Sequence, residues 1–425
     1  MRPGMETKQS LLHLFERLEG FVAKLPGPLQ KPILQEVVPL KDLFLRQRAP
    51  RLVLTGDPAA GSAGLFNAIF TAPVAPFATE AAADAVPAAA GWQDFANAGR
   101  GLLRLLDARL LTPGAPIADA VQAALAKEPP DLFLFLRNFS GPQSGAPPAA
   151  ELDHLEELLL LNAVNQQARP CVVGVVVSSA EGEPLLESLE AARLQLHAAL
   201  SGRPKIAERL APTLDVSTFM RFRLDGSFDA ESDRRRHVGE LVHLLVAELP
   251  NEARVEMARL SGAREAQARI AQILIKSASA MSGALGAQPI PFADMPFLLT
   301  FQLAMVAGII YISGREPSMK LATQFLGAMG VNVGLGLALR EGARAAGRAA
   351  TKLLLPGVGN AISGLVAAGG TYAIGQAANA YFIEGVSLPD ARLLFKREGR
   401  LDRGASRLWN WRGKRAKLPQ PPPDE

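Results

Sequence analysis

Cysteine is almost missing from this chain: its 425 residues hold one, Cys171. A single thiol excludes an internal disulfide and a cysteine-based metal site. It opens the apolar run Cys171 to Val177, where a buried structural thiol is the plain expectation. The five histidines (His13, His154, His197, His237, His243) show no metal-ligand spacing. No Ser-His-Asp arrangement and no supported pair of carboxylates stands out, so no residue set is catalytic on sequence grounds. Charge is sparse as well, at 20% against 48% hydrophobic residues, with a mean hydropathy of +0.13. That is apolar for a soluble protein and points to a membrane-facing portion. Net charge is only +4, which does not call for nucleic acid. No signal peptide is visible, because Glu6, Lys8, Glu16, Arg17, Glu19 and Lys24 break up the start of the chain. The N-terminal half is therefore expected in the cytoplasm. The length suits two or three domains.

What is present is organised around Arg51 to Phe70, RLVLTGDPAAGSAGLFNAIF. An apolar run ends at Gly56, small residues follow to Gly61, and Leu65, Phe66 and Ile69 then recur at helical spacing. This is strand, tight loop, helix. The step from Gly56 through Asp57 to Gly61 is that of a phosphate-cradling loop, G-x-x-x-x-G-K-[ST]. Such a loop brings backbone N–H groups to an anion at a helix N-terminus. The two reactive positions differ, however. Ser62 stands where Lys would neutralise the outer phosphates, and Ala63 where a hydroxyl would ligate Mg²⁺. An ordinary strand–helix turn is the alternative reading.

Before this stretch, residues 1–50 read as a helical segment with Leu11, Leu12, Phe15, Leu18 and Phe21 on one face. After it, residues 51–250 alternate strand and helix patterns, as α/β proteins do. Strands are expected over Gly101 to Asp107, Asp131 to Leu136, Cys171 to Val177 and about Asp215 to Leu224. Helices are expected over Leu152 to Gln167, Pro184 to Leu200 and Arg234 to Leu249. Residues 251–276 read as one charged connector helix.

That order resembles the GTPase fold, specifically the Era-like GTPases, over roughly residues 45–250. The lead-in LFLRQRAPRLVLTGDPAAG is similar to the opening of that family. The family's metal motif, D-x-x-G, falls on Asp107-Ala108-Arg109-Leu110, with the Asp present and the Gly absent. Its guanine-reading N-K-x-D falls on Ser178-Ser179-Ala180-Glu181, where only Glu181 keeps an acceptor for a base edge. Thr79 is the one candidate for the switch threonine. The resemblance implies GTP and Mg²⁺ as ligands. The substitutions in all three motifs make the domain a degenerate version that holds them poorly, and Asp107 reads equally as a strand-end carboxylate.

From residue 277 the character changes. Ser277 to Ala293, Met295 to Gly314, Leu321 to Leu339 and Leu353 to Ile383 carry no charge. Runs of that length are transmembrane candidates, and Gly330 with Gly334 would allow close helix approach in lipid. Their Gly and Ala content fits a helical bundle just as well. Arg340, Arg344, Arg348 and Lys352 would lie on the inner side. The elements PIPFADMPFL (Pro289, Pro291, Asp294) and LLLPGVGN (Pro356, Gly357) resemble the hydrophobic domain of unknown function, of the YcjF type, that follows Era-like GTPase domains. That resemblance implies membrane association and supplies no reaction. Asp294 reads as a helix N-cap or interfacial residue. The tail, 386–425, is basic and carries Trp409 and Trp411, a pairing suited to anionic headgroups.

The expected architecture is thus an α/β P-loop GTPase-like domain followed by an all-α, Gly/Ala-rich hydrophobic domain over 277–385. The leading expectation is a membrane-associated scaffold or partner-binding module that binds nucleotide weakly or not at all. Lipid is its expected partner, and a protein or second copy is compatible. Two alternatives stand beside it: an atypical active GTPase, and a soluble interaction protein built on a bundle.

Overall fold

The computed structural model describes residues 20, 27, 47–71, 91–97, 100–109, 119–164, 170–181, 186–223, 227–286, 294–316, 318–330 and 358–399. The helical segment expected over 1–50, Thr79 and the tail beyond 399 lie outside them, the four residues 47–50 and isolated positions apart. The chain divides into two compact units, one of them Arg46–Gln267, the other taking the chain from Ala268 onward.

The first unit is built on a six-stranded sheet. Its strands are β1 (Arg51–Gly56), β2 (Gln93–Asn97), β3 (Gly101–Asp107), β4 (Leu132–Asn138), β5 (Cys171–Ser178) and β6 (Leu214–Ser217). They lie in the order β2-β3-β1-β4-β5-β6, and only the β2–β3 pair is antiparallel. Parallel neighbours need crossovers, supplied here by α1 (Ser62–Phe70), α2 (Asp119–Lys127), α3 (Ala149–Val164) and α4 (Leu186–Ser201). A sheet covered on both faces needs apolar residues at every position. Hence LFLFL in β4 and VVGVVV in β5, whose large side chains are all buried. One face packs Val53, Phe133, Phe135, Val172 and Val176 on Val121 and Leu125 of α2, Leu155 and Leu158 of α3, and Leu196 of α4. Two further helices, α5 (Val238–Glu248) and α6 (Asn251–Ser261), pack with α1, and α6 also meets β3.

Three expectations need correcting here. The strand expected over 215–224 stops at Ser217; Arg221–Phe222 (β7) then pairs with Phe228–Asp229 (β8) as a separate ribbon. The exposed Arg221 and Arg223 cannot be covered on both faces as this sheet demands. The helix expected from Arg234 begins at Val238, because Arg236 bridges Ser217 and His237 adopts a left-handed φ of 55°. The charged helix expected over 251–276 is two helices, α6 and α7 (Arg264–Gly286), and α6 is not solvated: Ala253, Val255, Met257 and Leu260 are fully buried.

The unit beginning at Ala268 is helical, with α8 (Asp294–Ile312), α9 (Met319–Ala328), α10 (Val358–Asn379), a π turn at Ala380–Glu384 and α11 (Leu388–Glu398). Among the described residues no helix is long and apolar enough to cross a membrane. The expected spans are therefore corrected. In the run Leu321 to Leu339 the described residues include α9, a ten-residue helix about 15 Å long that ends at Ala328, and 331–339 lie outside the described residues. Gly330 is not part of a helix-packing stripe: it lies beyond the end of α9 with φ 84°. The C-terminal half of the apolar α8 packs inside the unit, with Met305, Val306, Ala307, Ile309, Ile310, Tyr311 and Ile312 all buried. The close backbone approach occurs at Gly375 instead, where a Cβ would meet Ile275 at 2.7 Å and Met305 Sδ at 3.0 Å. A seam of buried polar groups runs between helices. Gln272 and Gln376 exchange amide hydrogen bonds, and Gln302 donates to Thr371, which donates to Ser282. Pro289, Pro291, Gly334, Pro356, Gly357, Trp409 and Trp411 lie outside the described residues.

Two predictions follow from the sheet. Gly56 has φ 91°, and a Cβ there would meet the Leu136 carbonyl oxygen at 2.4 Å. Gly56→Ala should cost at least about 2 kcal/mol in denaturant unfolding; an unchanged midpoint would refute the close approach. Cys171 is half-buried, and burial together with the neighbouring Glu248 pushes its thiol up from 9.0 to about 12. The folded protein therefore holds the thiol proton where an unfolded chain has lost it. Cys171 should resist a thiol reagent at mildly alkaline pH until the protein is unfolded, and its contribution to stability should fade as pH rises past 9.0 toward 12. Rapid labelling of the native protein would contradict this.

Candidate functional site

The strand order reverses direction at β1, which lies between β3 and β4. In open α/β sheets such a switch point opens a crevice beyond the carboxyl ends of the strands. The turn from Gly56 to Gly61 sits at that edge. Its start is pinned by the Asp57 backbone N–H, which donates to the Leu136 carbonyl at 2.9 Å. Asp57 Oδ1 accepts from the Ala59 N–H at 2.8 Å, and Ala60 N–H donates back to the Asp57 carbonyl at 3.1 Å. Gly61 then caps α1 and, having no side chain, offers no cap to the helix's first N–H groups.

Asp107 ends β3, with Leu54 as its partner on β1, so its carboxylate reaches the same edge. It does not face that edge alone. Arg109, two residues on, forks onto it: Nε donates to Oδ1 at 2.9 Å and Nη2 to Oδ2 at 2.6 Å. The same guanidinium reaches the turn, with Nη1 donating to the Ala60 carbonyl at 2.8 Å and Nη2 to Ser62 Oγ at 2.9 Å. The Arg109 side chain is only 6% exposed and that of Asp107 28%. Ala63 follows in the first turn of α1 and offers no polar group. The turn's other flank carries Asp57, whose carboxylate lies 3.8 Å from Arg137 Nη1. Arg137 also donates to Glu151. Burial pushes the Glu151 carboxyl up, opposed by Arg137.

On the side toward β5 and β6 the expected base-reading residues separate. Ser178 is buried at the end of β5, and among the described residues its hydroxyl has no hydrogen-bond partner. Glu181 is exposed and pairs with Arg221 at 2.6 Å. Between them, Ser179 takes the place beside the turn. Its hydroxyl would meet a Cβ on Gly61 at 2.7 Å, and it lies 3.4 Å from Thr218 Oγ1, which in turn packs on Gly64. A side chain at Gly61 would therefore have to displace the Ser179 hydroxyl.

The structure brings together Gly56, Asp57, Gly61, Ser62 and Asp107, while Ser178 is buried at the end of β5 and Glu181 is engaged by Arg221. Sequence reasoning missed Arg109, Ser179 and Thr218. Arg109 was visible as a cation inside the D-x-x-G position, but only the fold shows it reaching Ser62. For the hydrophobic unit, Asp294 is the first residue of α8. Among the described residues no group of three His, Cys, Asp or Glu is placed to hold a metal ion.

No curated protein matches the chain. Among solved structures it is similar to the crystal structure of a mutation variant of SsGBP, at 12% identity and TM-score 0.24, over 46% of this chain and 59% of that one. The chain therefore aligns with less than two thirds of that relative. Two structures of an oligomerised bacterial dynamin pair, described as a mechanism for the long-range sensing and tethering of membranes, match at 12% identity over 96% of this chain and 80% of theirs, with TM-scores of 0.34 and 0.33. Superpositions this loose carry no argument about fold or function. Residues 253–399, from α6 to α11, match the family model of DUF697, a domain of unknown function.

Proposed function

We propose that the chain is a membrane-associated protein whose α/β unit has the shape of a GTPase domain without its nucleotide chemistry, and serves as a scaffold or partner-binding module. The observation that carries this reading is the Arg109 guanidinium, bonded at once to Asp107, Ser62 and Ala60. A Mg²⁺-nucleotide needs a cation on its outer phosphates, a hydroxyl and a free carboxylate for the metal, and a polar reader for the base. In this chain Ser62 stands in place of the loop cation and accepts from Arg109, Ala63 offers no hydroxyl to a metal, and Asp107 is paired with the same arginine. The residues do not fit that ligand. Around the turn, Arg109 and Arg137 face three carboxyls, those of Asp57, Asp107 and Glu151. Such a balance does not attract a polyanion. Membrane association is supported by the charge-poor composition beyond residue 277 and by the basic tail.

A second reading is favoured by one observation. The first turn of α1 lacks a side-chain cap, so its N–H groups are open to a phosphate. An atypical GTPase would then use those groups and Asp107, and would show Mg²⁺-dependent GTP hydrolysis that Asp107→Ala abolishes.

Titration of the full chain with labelled GTP, with and without Mg²⁺, separates the two. The expected result is no saturation at millimolar nucleotide in either condition. Micromolar binding tightened by Mg²⁺ would sink the proposal. The arginine network has its own test. Arg109→Ala strands Asp107 and leaves Ser62 and Ala60 without their donor, so it should lower unfolding stability by roughly 1–3 kcal/mol. A neutral substitution would show that the fork does not hold the turn.

A further inference from the structure

We propose that the outward face of α11 is a docking surface for anionic lipid headgroups, with Leu393 as the side chain that enters the bilayer interface. The proposal rests on the reading that the protein is membrane-associated and names the surface responsible. Leu393 is 64% exposed, more than any other exposed large hydrophobic side chain among the described residues. Residues three and four positions apart share a helix face. Lys396 and Arg397, three and four residues on, therefore flank Leu393, and both are exposed. Arg397 keeps 60% of its side chain in solvent while lying 3.6 Å from the buried Glu398. Arg392, also exposed, adds a third cation; its Nε donates to the Ala328 carbonyl at the end of α9, which fixes α11 in place. The opposite side of α11 is packed, with Ala391 and Glu398 buried and Leu394 and Phe395 half-buried. The one acid on the exposed side, Asp390, is at the first turn, where it accepts from Ser387 Oγ. Leu388, 37% exposed, lies in the same turn.

A polyanion such as nucleic acid would be served by the three cations and has no use for an exposed leucine at their centre. A headgroup layer uses both: phosphates and carboxylates meet the cations while the aliphatic side chain leaves water. The sequence continues the pattern directly beyond α11, with Arg400, Arg403 and Arg407 before Trp409 and Trp411. Neither feature is consumed by packing, and no other described segment sets an apolar side chain this exposed among three cations.

The test is flotation of the full chain with vesicles of phosphatidylcholine alone or mixed with phosphatidylserine, at low and high salt. The variants are Leu393→Ser and the double substitution Lys396→Gln with Arg397→Gln. Leu393 and Lys396 are exposed, so Leu393→Ser should leave circular dichroism and the thermal midpoint unchanged. Arg397→Gln also removes the pair with buried Glu398, so the double variant is compared below its own thermal midpoint, where its circular dichroism matches wild type. Wild type should bind the anionic vesicles only, and less at high salt. The double variant should bind about thirtyfold more weakly, since each cation near an anionic surface contributes about fivefold. Leu393→Ser should lose roughly tenfold through the apolar area no longer buried. Binding of wild type that neither variant weakens overturns the proposal and leaves membrane association standing. Failure of wild type to bind either vesicle overturns both. A loss with the double variant alone, matched by wild-type binding to duplex DNA, overturns the proposal in favour of a nucleic-acid surface.

Discussion

The carboxyl edge of the sheet depends on one buried cation. An arginine side chain 6% exposed must be paired and fully hydrogen-bonded, because a lone buried charge costs several kcal/mol. Arg109 meets that requirement with a planar fork on Asp107 and two further donations into the turn. The segment after β3 is thereby tied to the loop after β1, two pieces of chain that the sheet alone would leave merely adjacent. Nearby, Ser179 and Thr218 close against Gly61 and Gly64. The turn is held from both flanks by side chains of its own unit. Its geometry needs no ligand to explain it.

The helical unit solves a different problem with similarly small residues. Glycine and alanine supply little apolar area for burial, so such helices gain by approaching closely. Gly375 lets α10 come within contact of Ile275 and Met305. Packing of that kind is poorly specific in register, because small side chains interlock weakly. The seam of half-buried Gln272 with Gln376, and of buried Gln302, Thr371 and Ser282, adds direction, because these partners meet in one register. The long uncharged runs in the sequence are thus consistent with a core whose polar content is amide and hydroxyl.

Much of the α/β unit was legible because buried parallel strands leave a plain mark. DLFLFL and CVVGVVV are short apolar runs that suit a doubly covered strand, and their large side chains are buried in the sheet. The loop spacing from Gly56 to Gly61 located the switch-point turn. What failed did so for identifiable reasons. β2, QDFAN, is an edge strand with no apolar run, and α2 is short and weakly patterned. The break at Gly262 between α6 and α7 hides in a stretch whose charges are continuous across it. Arg259 and Glu256 look solvated in sequence but pair with each other while nearly buried. The candidate site was half legible: backbone position follows from glycine spacing, whereas Arg109, Ser179 and Thr218 matter only through contacts between segments far apart in the chain.

The identity of the cation is itself an argument about what this edge does. A loop lysine is a point charge on a flexible stem, able to follow a phosphate as it arrives and leaves. An arginine held bidentately is pre-organised, with its fork already fixed on its partner. To admit a phosphate, Arg109 would have to release Asp107, and the carboxylate would then face the incoming anion bare. The electrostatic term that favours ligand entry at a phosphate loop works against it here. A switch needs two states close in energy, and this arrangement deepens one of them. Under the proposed reading, an edge so locked presents a fixed surface rather than reporting the state of a nucleotide.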